Sequence, residues 1–309
     1  MVAPMTSAAT IHAPPEIPGA EQRTVRIQTH DAGPLEVHLY EAGDGPPVVL
    51  LHGWPQDAWC WRYVIPLLAD RYRLIAPDLR GLGQTGAPGR GYNGMVIGAD
   101  AIALLDALEI GRAHLIGHDW GGFGGFAAAI AAPRRIASMV ALNTSPPWLE
   151  LSPRLVWELR RSWYVFLLAA CGEWVVRERP GLIARMMRGD RVQDGISRAD
   201  AQGYAARLQR PDSARATTLY YRSFARSFQA VLLRRRFEEL RLTVPTHFLF
   251  GARDGALSPV VLRGVERHCD DIVVELVPDS GHFIAEEKPE LVAERAAELF
   301  ELHPAVERG

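Results

Sequence analysis

The sequence predicts an α/β fold: a mostly parallel eight-stranded sheet, flanked by helices and interrupted by an inserted helical cap. Two observations lead to this prediction. Short apolar runs alternate with helical stretches near both ends of the chain, as in a parallel sheet wrapped by helices. Between residues 146 and 243 this alternation stops, and helical patterns rich in Trp, Tyr, Arg and Leu take its place. A chain of 309 residues has room for one large domain with such an insertion.

The first two strands are predicted where apolar and polar residues alternate, which is typical of half-buried strands. They cover residues 25–27 and 35–39, and the turn Asp-Ala-Gly-Pro at residues 31–34 separates them. Six later runs are almost continuously apolar and predict parallel strands buried on both faces. These runs lie at residues 48–51, 74–76, 114–116, 139–142, 247–250 and 273–277. The predicted segments are a flexible N-terminal arm at 1–21, a core at 22–145 and 244–303, and the cap at 146–243.

Composition and charge argue against several classes of function. A net charge of -2 leaves no footprint for binding nucleic acid. No apolar run approaches the ~18 residues of a membrane span, so we expect no membrane insertion. The three cysteines, Cys60, Cys171 and Cys269, lack the paired spacing of disulfide frameworks or zinc sites. Because the first residues do not resemble a signal peptide, we expect a cytoplasmic protein; whether it forms a homodimer is left open.

Residues 117–122, Gly-His-Asp-Trp-Gly-Gly, form the most informative motif. The motif follows an apolar run and precedes a helix of small residues, which is the setting of a nucleophile elbow. Asp119 stands where such elbows usually carry Ser. A carboxylate that attacks an sp3 carbon forms an alkyl ester, which water can then cleave, whereas a serine would form an ether. Asp119 therefore predicts displacement at carbon through a covalent intermediate; the alternative is an ordinary Asp in a Gly-rich surface turn.

Other candidate residues also follow predicted strands. In His-Gly-Trp-Pro, residues 52–55, the backbone N–H of Trp54 would form an oxyanion hole together with that of Trp120. Asp254 and His282 come after the nucleophile, in the chain order nucleophile, acid, histidine. We expect His282 to activate water and Asp254 to hold its imidazole in the right tautomer.

Alternatives remain for the acid and for two further histidines. Asp254 could be a turn residue, and Asp279 is a competing acid three residues before His282. His118 is expected to support the elbow, and His52 to brace the oxyanion loop. No metal or organic cofactor is needed for this chemistry.

Together with Pro-Asp-Leu-Arg-Gly at residues 77–81, these motifs resemble those of the α/β-hydrolase epoxide hydrolases. The resemblance runs from residue 22 to residue 302 and implies the α/β-hydrolase fold. It also implies that the substrates are a small-molecule epoxide and water, and that the product is a vicinal diol. The substrate would enter a mainly apolar pocket between core and cap, lined by Trp54, Trp120 and aromatic residues of the cap.

The resemblance further implies two cap tyrosines that bind the epoxide oxygen and donate a proton, since a phenol stays protonated at neutral pH. By local context these are Tyr164 and Tyr221, with Tyr220 as the rival of the latter. Val165 stands where this family often has Gln. Either tyrosine could instead be an ordinary core aromatic of a helical cap.

Two other functions are kept as alternatives. A haloalkane dehalogenase would use the same three residues but needs a halide cradle, often an Asn after His-Gly or a second Trp in the cap. Trp54 removes the Asn option, whereas Trp157, Trp163 and Trp174 leave a cap Trp open. A fluoroacetate-type dehalogenase would carry Arg at position 120. A non-catalytic ligand-binding protein of this fold is the second alternative, and an esterase lacks support because no Gly-x-Ser-x-Gly motif occurs.

Overall fold

The structure is a computed structural model that describes residues 14–150, 152–189, 192, 196–234 and 239–305. Its centre is an eight-stranded sheet with the strand order β1-β2-β4-β3-β5-β6-β7-β8. Strand β2 is antiparallel to both of its neighbours, and every other neighbouring pair is parallel. The mostly parallel eight-stranded sheet predicted from the sequence is therefore confirmed. The strands are β1 (Glu21–Thr29), β2 (Gly33–Ala42), β3 (Pro47–Leu51), β4 (Arg73–Pro77), β5 (Ala113–His118), β6 (Ile136–Leu142), β7 (Thr246–Gly251) and β8 (Ile272–Val277).

Helices lie in the connections between the strands, and the described part of the segment between β6 and β7 contains five α-helices. The α-helices are α1 (Ile65–Leu68), α2 (Gly94–Ala107), α3 (Trp120–Ala131), α4 (Pro153–Glu158), α5 (Trp163–Glu178), α6 (Pro180–Gly189), α7 (Arg198–Arg207), α8 (Pro211–Arg234), α9 (Ile284–Glu287) and α10 (Pro289–Leu302). Short 3-10 helices cover Ala58–Tyr63, Pro133–Arg135, Leu159–Ser162, Pro259–Leu262 and Val265–His268. Among the described residues, none of these helices has the length and apolar character that crossing a membrane requires.

The burial of the strands follows their position in the sheet. All residues of β5 and β6 are buried, as continuous apolar runs in the middle of a parallel sheet predict. Strand β8 differs from the prediction, since Val273 is 55% and Leu276 50% exposed. The reason is that β8 is an edge strand of the sheet, and a position at the edge cannot be derived from its apolar composition.

The parallel arrangement places several loops at one edge of the sheet. Strands β3, β5, β6, β7 and β8 are consecutive neighbours and run in the same direction. Ligands of open α/β sheets bind outside the carboxyl ends of the strands, where these loops meet. The residues that follow these five strands include His52, Asp119, Asn143, Asp254 and His282.

The segment predicted as a flexible arm is only partly described, because residues 1–13 lie outside the described residues. From residue 15 onward it packs on the core. Ile17 is buried, and the Tyr40 hydroxyl donates a hydrogen bond to the Pro15 carbonyl at 2.5 Å. Strand β1 already begins at Glu21. Within residues 15–21 of the predicted arm, an apolar side chain and a backbone carbonyl therefore contact the core.

Buried polar contacts join helix α7 to the core. The Arg207 guanidinium pairs with Asp57, which lies three residues beyond Trp54. Three residues earlier on the same face of the helix, the Tyr204 hydroxyl donates to Glu286 at 2.5 Å, and Arg62 pairs with the same carboxylate. Burial raises the pKa of Glu286 to about 7, against the opposing effects of Arg62 and Tyr204. Helix α7 thus contacts both the loop that carries Trp54 and the segment that follows His282.

Candidate active site

Asp119 occupies a sharp turn between β5 and α3. Its φ of 49° and ψ of -117° are rare for a residue with a side chain. Such strain persists only where the surroundings enforce it, and it clusters at functional sites. The Thr144 hydroxyl helps to enforce it by donating a hydrogen bond to the Asp119 carbonyl at 2.7 Å. The elbow predicted from residues 117–122 is present in its expected strand-turn-helix setting.

Two glycines allow the elbow to approach the loop after β3. A Cβ on Gly53 would lie 2.3 Å from the Asp119 Cβ, and one on Gly121 would lie 2.2 Å from the Leu51 carbonyl oxygen. Real Cβ atoms do not approach other atoms this closely, so any larger residue would push the two loops apart. Glycine at these positions therefore brings the Trp54 backbone within reach of the Asp119 side chain.

The Asp119 carboxylate lies at the amino end of α3, next to backbone N–H groups. The Trp54 N–H donates to its Oδ1 at 2.9 Å. Burial raises the pKa of Asp119, while the His282 charge and the backbone N–H groups of Trp120 and Trp54 act in the opposite direction. The side chain still keeps 20% exposure. The Trp54 N–H thus binds this carboxylate directly, and the Trp120 N–H helps to lower its pKa.

His282 lies between two carboxylates. Its Nδ1 is 2.8 Å from Asp254 Oδ2, and its Nε2 is 3.8 Å from Asp119 Oδ2. The first distance is a hydrogen bond, and the second is too long for one. Burial alone would raise the pKa of Asp254, but the His282 charge and hydrogen bonds from its neighbours together lower it. A carboxylate that stays ionised can orient the imidazole and stabilise its protonated form.

Asn143 is a further member of this network and was not predicted from the sequence. Its Nδ2 donates to Asp254 Oδ2 at 2.7 Å, and its Oδ1 accepts from the Gly251 N–H at 3.1 Å. The backbone N–H groups of Ala256 and Leu257 hold the other oxygen of Asp254, both at 2.8 Å. The available signal was a polar residue directly after the fully buried strand β6.

The competing acid, Asp279, lies apart from this network. Its carboxylate pairs with the Lys288 ammonium at 2.5 Å, and it is 56% exposed. This places Asp254, and not Asp279, at the His282 imidazole.

His52 and His118 hold the loops around the site, as expected from the sequence. His52 Nε2 accepts the Leu79 N–H at 2.9 Å, and its Nδ1 donates to the Gly53 carbonyl at 2.9 Å. His118 Nε2 donates to the His282 carbonyl at 2.9 Å and so links the elbow to the histidine loop. Burial, with a smaller contribution from His282, lowers the pKa of His118 to about 3.

This pKa predicts that His118 makes the protein less stable in acid. Above pH 6.5 His118 is neutral in both the folded and the unfolded protein. Between pH 6.5 and 3 His118 is protonated in the unfolded chain but stays neutral in the folded protein. The free energy of unfolding should therefore decrease as the pH falls through this range. The variant H118Q can still donate to the His282 carbonyl but cannot titrate. Denaturant unfolding at several pH values should show that the free energy of unfolding of wild type decreases by up to about 5 kcal/mol more than that of H118Q between pH 6.5 and 3. The same pH dependence in both proteins would contradict this prediction.

A cavity opens above Asp119, and its empty space of about 430 Å³ includes open solvent. Tyr164 and Tyr221 line it, with ring centroids 5.9 Å apart, together with Trp120. Trp54, which we expected to line this pocket, does not. Its indole N–H donates to Thr217 at 3.0 Å, and its ring packs on Tyr221 at 5.0 Å. Six other lining residues were not predicted from the sequence, namely Phe123, Thr144, Ser145, Val165, Phe224 and Leu257.

Tyr220, the rival of Tyr221, faces elsewhere. Its hydroxyl is buried and donates to the Arg80 carbonyl at 3.0 Å, and it is not part of the cavity wall. The cavity therefore brings Asp119 together with Tyr164 and Tyr221. Over the residues that the structure describes, no group of three His, Cys, Asp or Glu side chains is arranged to hold a metal ion.

Known proteins are similar to this chain in sequence and in structure. The soluble epoxide hydrolase of Corynebacterium sp. (strain C12) is 28% identical over 85% of this chain and 93% of its own length. A fluoroacetate dehalogenase of Burkholderia sp. is 33% identical over 48% of this chain and 49% of its own length. Among solved structures, the ligand-free epoxide hydrolase CorEH superposes with a TM-score of 0.77 at 26% identity, covering 91% of this chain and 99% of CorEH.

A family comparison covers most of the chain. Residues 46–289 match the family described as the alpha/beta hydrolase fold, and this range includes Trp54, Asp119, Asp254 and His282. The sheet order and the strand-end loops described above agree with that match. The chain belongs to the α/β-hydrolase fold family.

Proposed function

We propose that the protein is an epoxide hydrolase that converts an epoxide and water into a vicinal diol through an ester on Asp119. The observation that carries the proposal is a carboxylate at the elbow, where one oxygen accepts the Trp54 N–H and two tyrosines line the same cavity. The likeness to relatives named epoxide hydrolases supports the same reaction.

In the first step, Oδ2 of Asp119 attacks a ring carbon of the epoxide. Oδ1 stays in contact with the Trp54 N–H and becomes the carbonyl oxygen of the ester. As the bond from Oδ2 to carbon forms, the ring C–O bond breaks, and the ring oxygen takes a proton from Tyr164 or Tyr221. This proton matters because an alkoxide is a poor leaving group, and a phenol is a protonated donor at neutral pH.

In the second step, water cleaves the ester. His282 Nε2 takes a proton from water, and the resulting hydroxide attacks Cγ of Asp119. Negative charge on Oδ1 is stabilised by the N–H groups of Trp54 and Trp120. Collapse breaks the bond from Cγ to Oδ2, and the diol oxygen takes the proton from the imidazolium. After this step Asp119 is a protonated carboxylic acid, and the tyrosine that donated its proton is a phenolate. Transfer of the Asp119 proton to the phenolate through solvent restores both groups.

The described tryptophans favour this function over a haloalkane dehalogenase. Trp157, Trp163 and Trp174 are 64%, 57% and 53% exposed, and none of the three lines the cavity. A second cap Trp that could pair with Trp120 around a halide is therefore not among the cavity residues. Trp120 also occupies the position where a fluoroacetate dehalogenase would be expected to place an Arg for the substrate carboxylate.

A side-by-side assay of epoxides and haloalkanes tests the function. Terminal and aryl epoxides should give diols, whereas haloalkanes and fluoroacetate should release halide slowly or not at all. Halide release without diol formation would replace the proposal with a dehalogenase. Turnover of neither class would favour a non-catalytic ligand-binding role on the same fold.

The two tyrosines should affect the first step alone. We expect Y164F and Y221F each to slow ester formation by about tenfold or more, because each removes a donor to the ring oxygen. Rapid-quench measurement of the ester isolates this step from hydrolysis. Y220F is the matched control: it also removes one phenol hydroxyl of α8, but that hydroxyl donates to the Arg80 carbonyl. Equal rates for all three variants would remove Tyr164 and Tyr221 from the mechanism.

A further inference from the structure

A second apolar cavity adjoins the one above Asp119. Its empty space of about 480 Å³ includes open solvent, and Met95, Phe123, Ala127, Ile130 and Leu240 contribute to its wall. Phe123 lines both cavities. Among the described residues of its wall, none is charged, and Asn93 is the one with a hydrogen-bonding side chain. The side-chain oxygen of Asn93 accepts the Val96 N–H at 3.1 Å. The cavity thus suits a hydrocarbon group and offers little to an ion or a sugar.

Helix α3 connects the two cavities. Trp120 and Phe123 lie on the wall of the first, and Phe123, Ala127 and Ile130 on the wall of the second. Residues spaced by three or four share one face of a helix. The seven residue steps from Phe123 to Ile130 span roughly 10 Å at 1.5 Å per step. The second cavity therefore continues along the helix whose amino end carries Asp119.

Phe123 lies on the wall that the two spaces share. Its ring packs against the start of α2, where a Cβ on Gly94 would lie 2.3 Å from Phe123 Cδ1. Gly94 thus leaves room for the ring in this position. An epoxide that reacts at Asp119 must place its ring beside the amino end of α3, so a substituent that extends along the helix meets Phe123 first.

We propose that Phe123 determines which epoxides are accepted, by limiting the length of the apolar substituent, and that the space behind it forms a hydrocarbon subsite once the ring is removed. This inference rests on the proposed epoxide hydrolase function. The preferred substrate of the wild-type protein is accordingly an epoxide with a compact apolar substituent. The occupant of the enlarged space is the tail of the same substrate, because the two cavities share a wall residue beside the nucleophile.

A homologous series of terminal alkyl epoxides tests the proposal with F123A and F224A. Phe224 lines only the first cavity, so F224A enlarges it without opening the second. In F123A, kcat/KM should peak at a longer chain than in wild type, with a gain of up to about fourfold for each added methylene that is buried. F224A should leave the chain length at the peak unchanged. Adding M95W to F123A should shorten it again, because Met95 lines the second cavity and is 51% exposed, so that a larger ring fits at its mouth.

Binding of the matching alkane-1,2-diols, measured by calorimetry, gives a readout that does not need turnover. The same shift to longer chains should appear in the dissociation constants of F123A. If epoxides are hydrolysed but F123A and F224A have the same chain-length profile, the role of Phe123 is wrong and the proposed function stands. If no variant hydrolyses an epoxide, the proposed function fails, and the diol series alone then decides whether Phe123 limits the ligand. If the dissociation constants of the diols depend on chain length in the same way in wild type and F123A, Phe123 does not limit the ligand.

Discussion

Asn in place of Asp119 should reduce kcat/KM for epoxides by about 10⁴-fold or more. The amide has almost the same shape, and its oxygen can still accept the Trp54 N–H that reaches Oδ1 at 2.9 Å. It lacks the negative charge that makes Oδ2 a nucleophile, so the loss arises from chemistry and not from misfolding. Thermal unfolding of D119N should therefore stay close to that of wild type.

The matched control is Asp279→Asn. It makes the same chemical change at an exposed carboxylate that pairs with Lys288, and its turnover should stay near the wild-type level. A slow return of activity in D119N, accompanied by the mass change from amide to acid, would show that water activated beside His282 attacks residue 119. Turnover by D119N at wild-type rates from the start would remove Asp119 as the nucleophile.

The source of the diol oxygen tests the same step in the unmodified protein. With limiting epoxide in oxygen-18 water, the first diol should contain ordinary oxygen, because its new oxygen comes from Oδ2 of Asp119. The label should then be found in the peptide that contains Asp119. Label in the first diol would instead mean that water attacks the epoxide directly.

Much of this fold could be predicted from the sequence because its signals are local. Continuous apolar runs identify β5 and β6, which are buried over their whole length. The chain order of Asp119, Asp254 and His282 identifies their loops before any distance is known. The edge position of β8 could not be predicted in this way, because exposure depends on which strand lies beside it and not on its own residues.

The missed parts of the site depend on distances across the fold. Asn143 contacts Asp254, a residue 111 positions away, and nothing in the neighbouring sequence encodes that pairing. The sequence also could not show that the Trp54 indole binds Thr217 and does not line the cavity above Asp119, because Thr217 is 163 positions away. In contrast, the backbone role of Trp54 follows from its position after β3, and the sequence predicts it.

Gln in place of His282 should stop the reaction after the first step. Asp119 can still attack the epoxide, because Nε2 of His282 is 3.8 Å from Oδ2 and forms no hydrogen bond that the nucleophile needs. Hydrolysis of the ester requires a base for water, and an amide cannot serve as one. We expect steady turnover to fall by about 10⁴-fold, with one equivalent of epoxide consumed in an initial burst.

Intact-protein mass spectrometry of H282Q after incubation should show an increase equal to the mass of the epoxide, located on the peptide that contains Asp119. D254N should accumulate the same ester to a smaller extent, because Asp254 acts on His282 through the 2.8 Å hydrogen bond to Nδ1 and does not touch the ester. H303Q is the control, since His303 lies 3.8 Å from Asp271, outside the site. If H282Q consumes no epoxide and its mass stays unmodified, His282 is needed for ring opening itself. The two-step mechanism would then have to give way to one in which His282 acts before any ester forms.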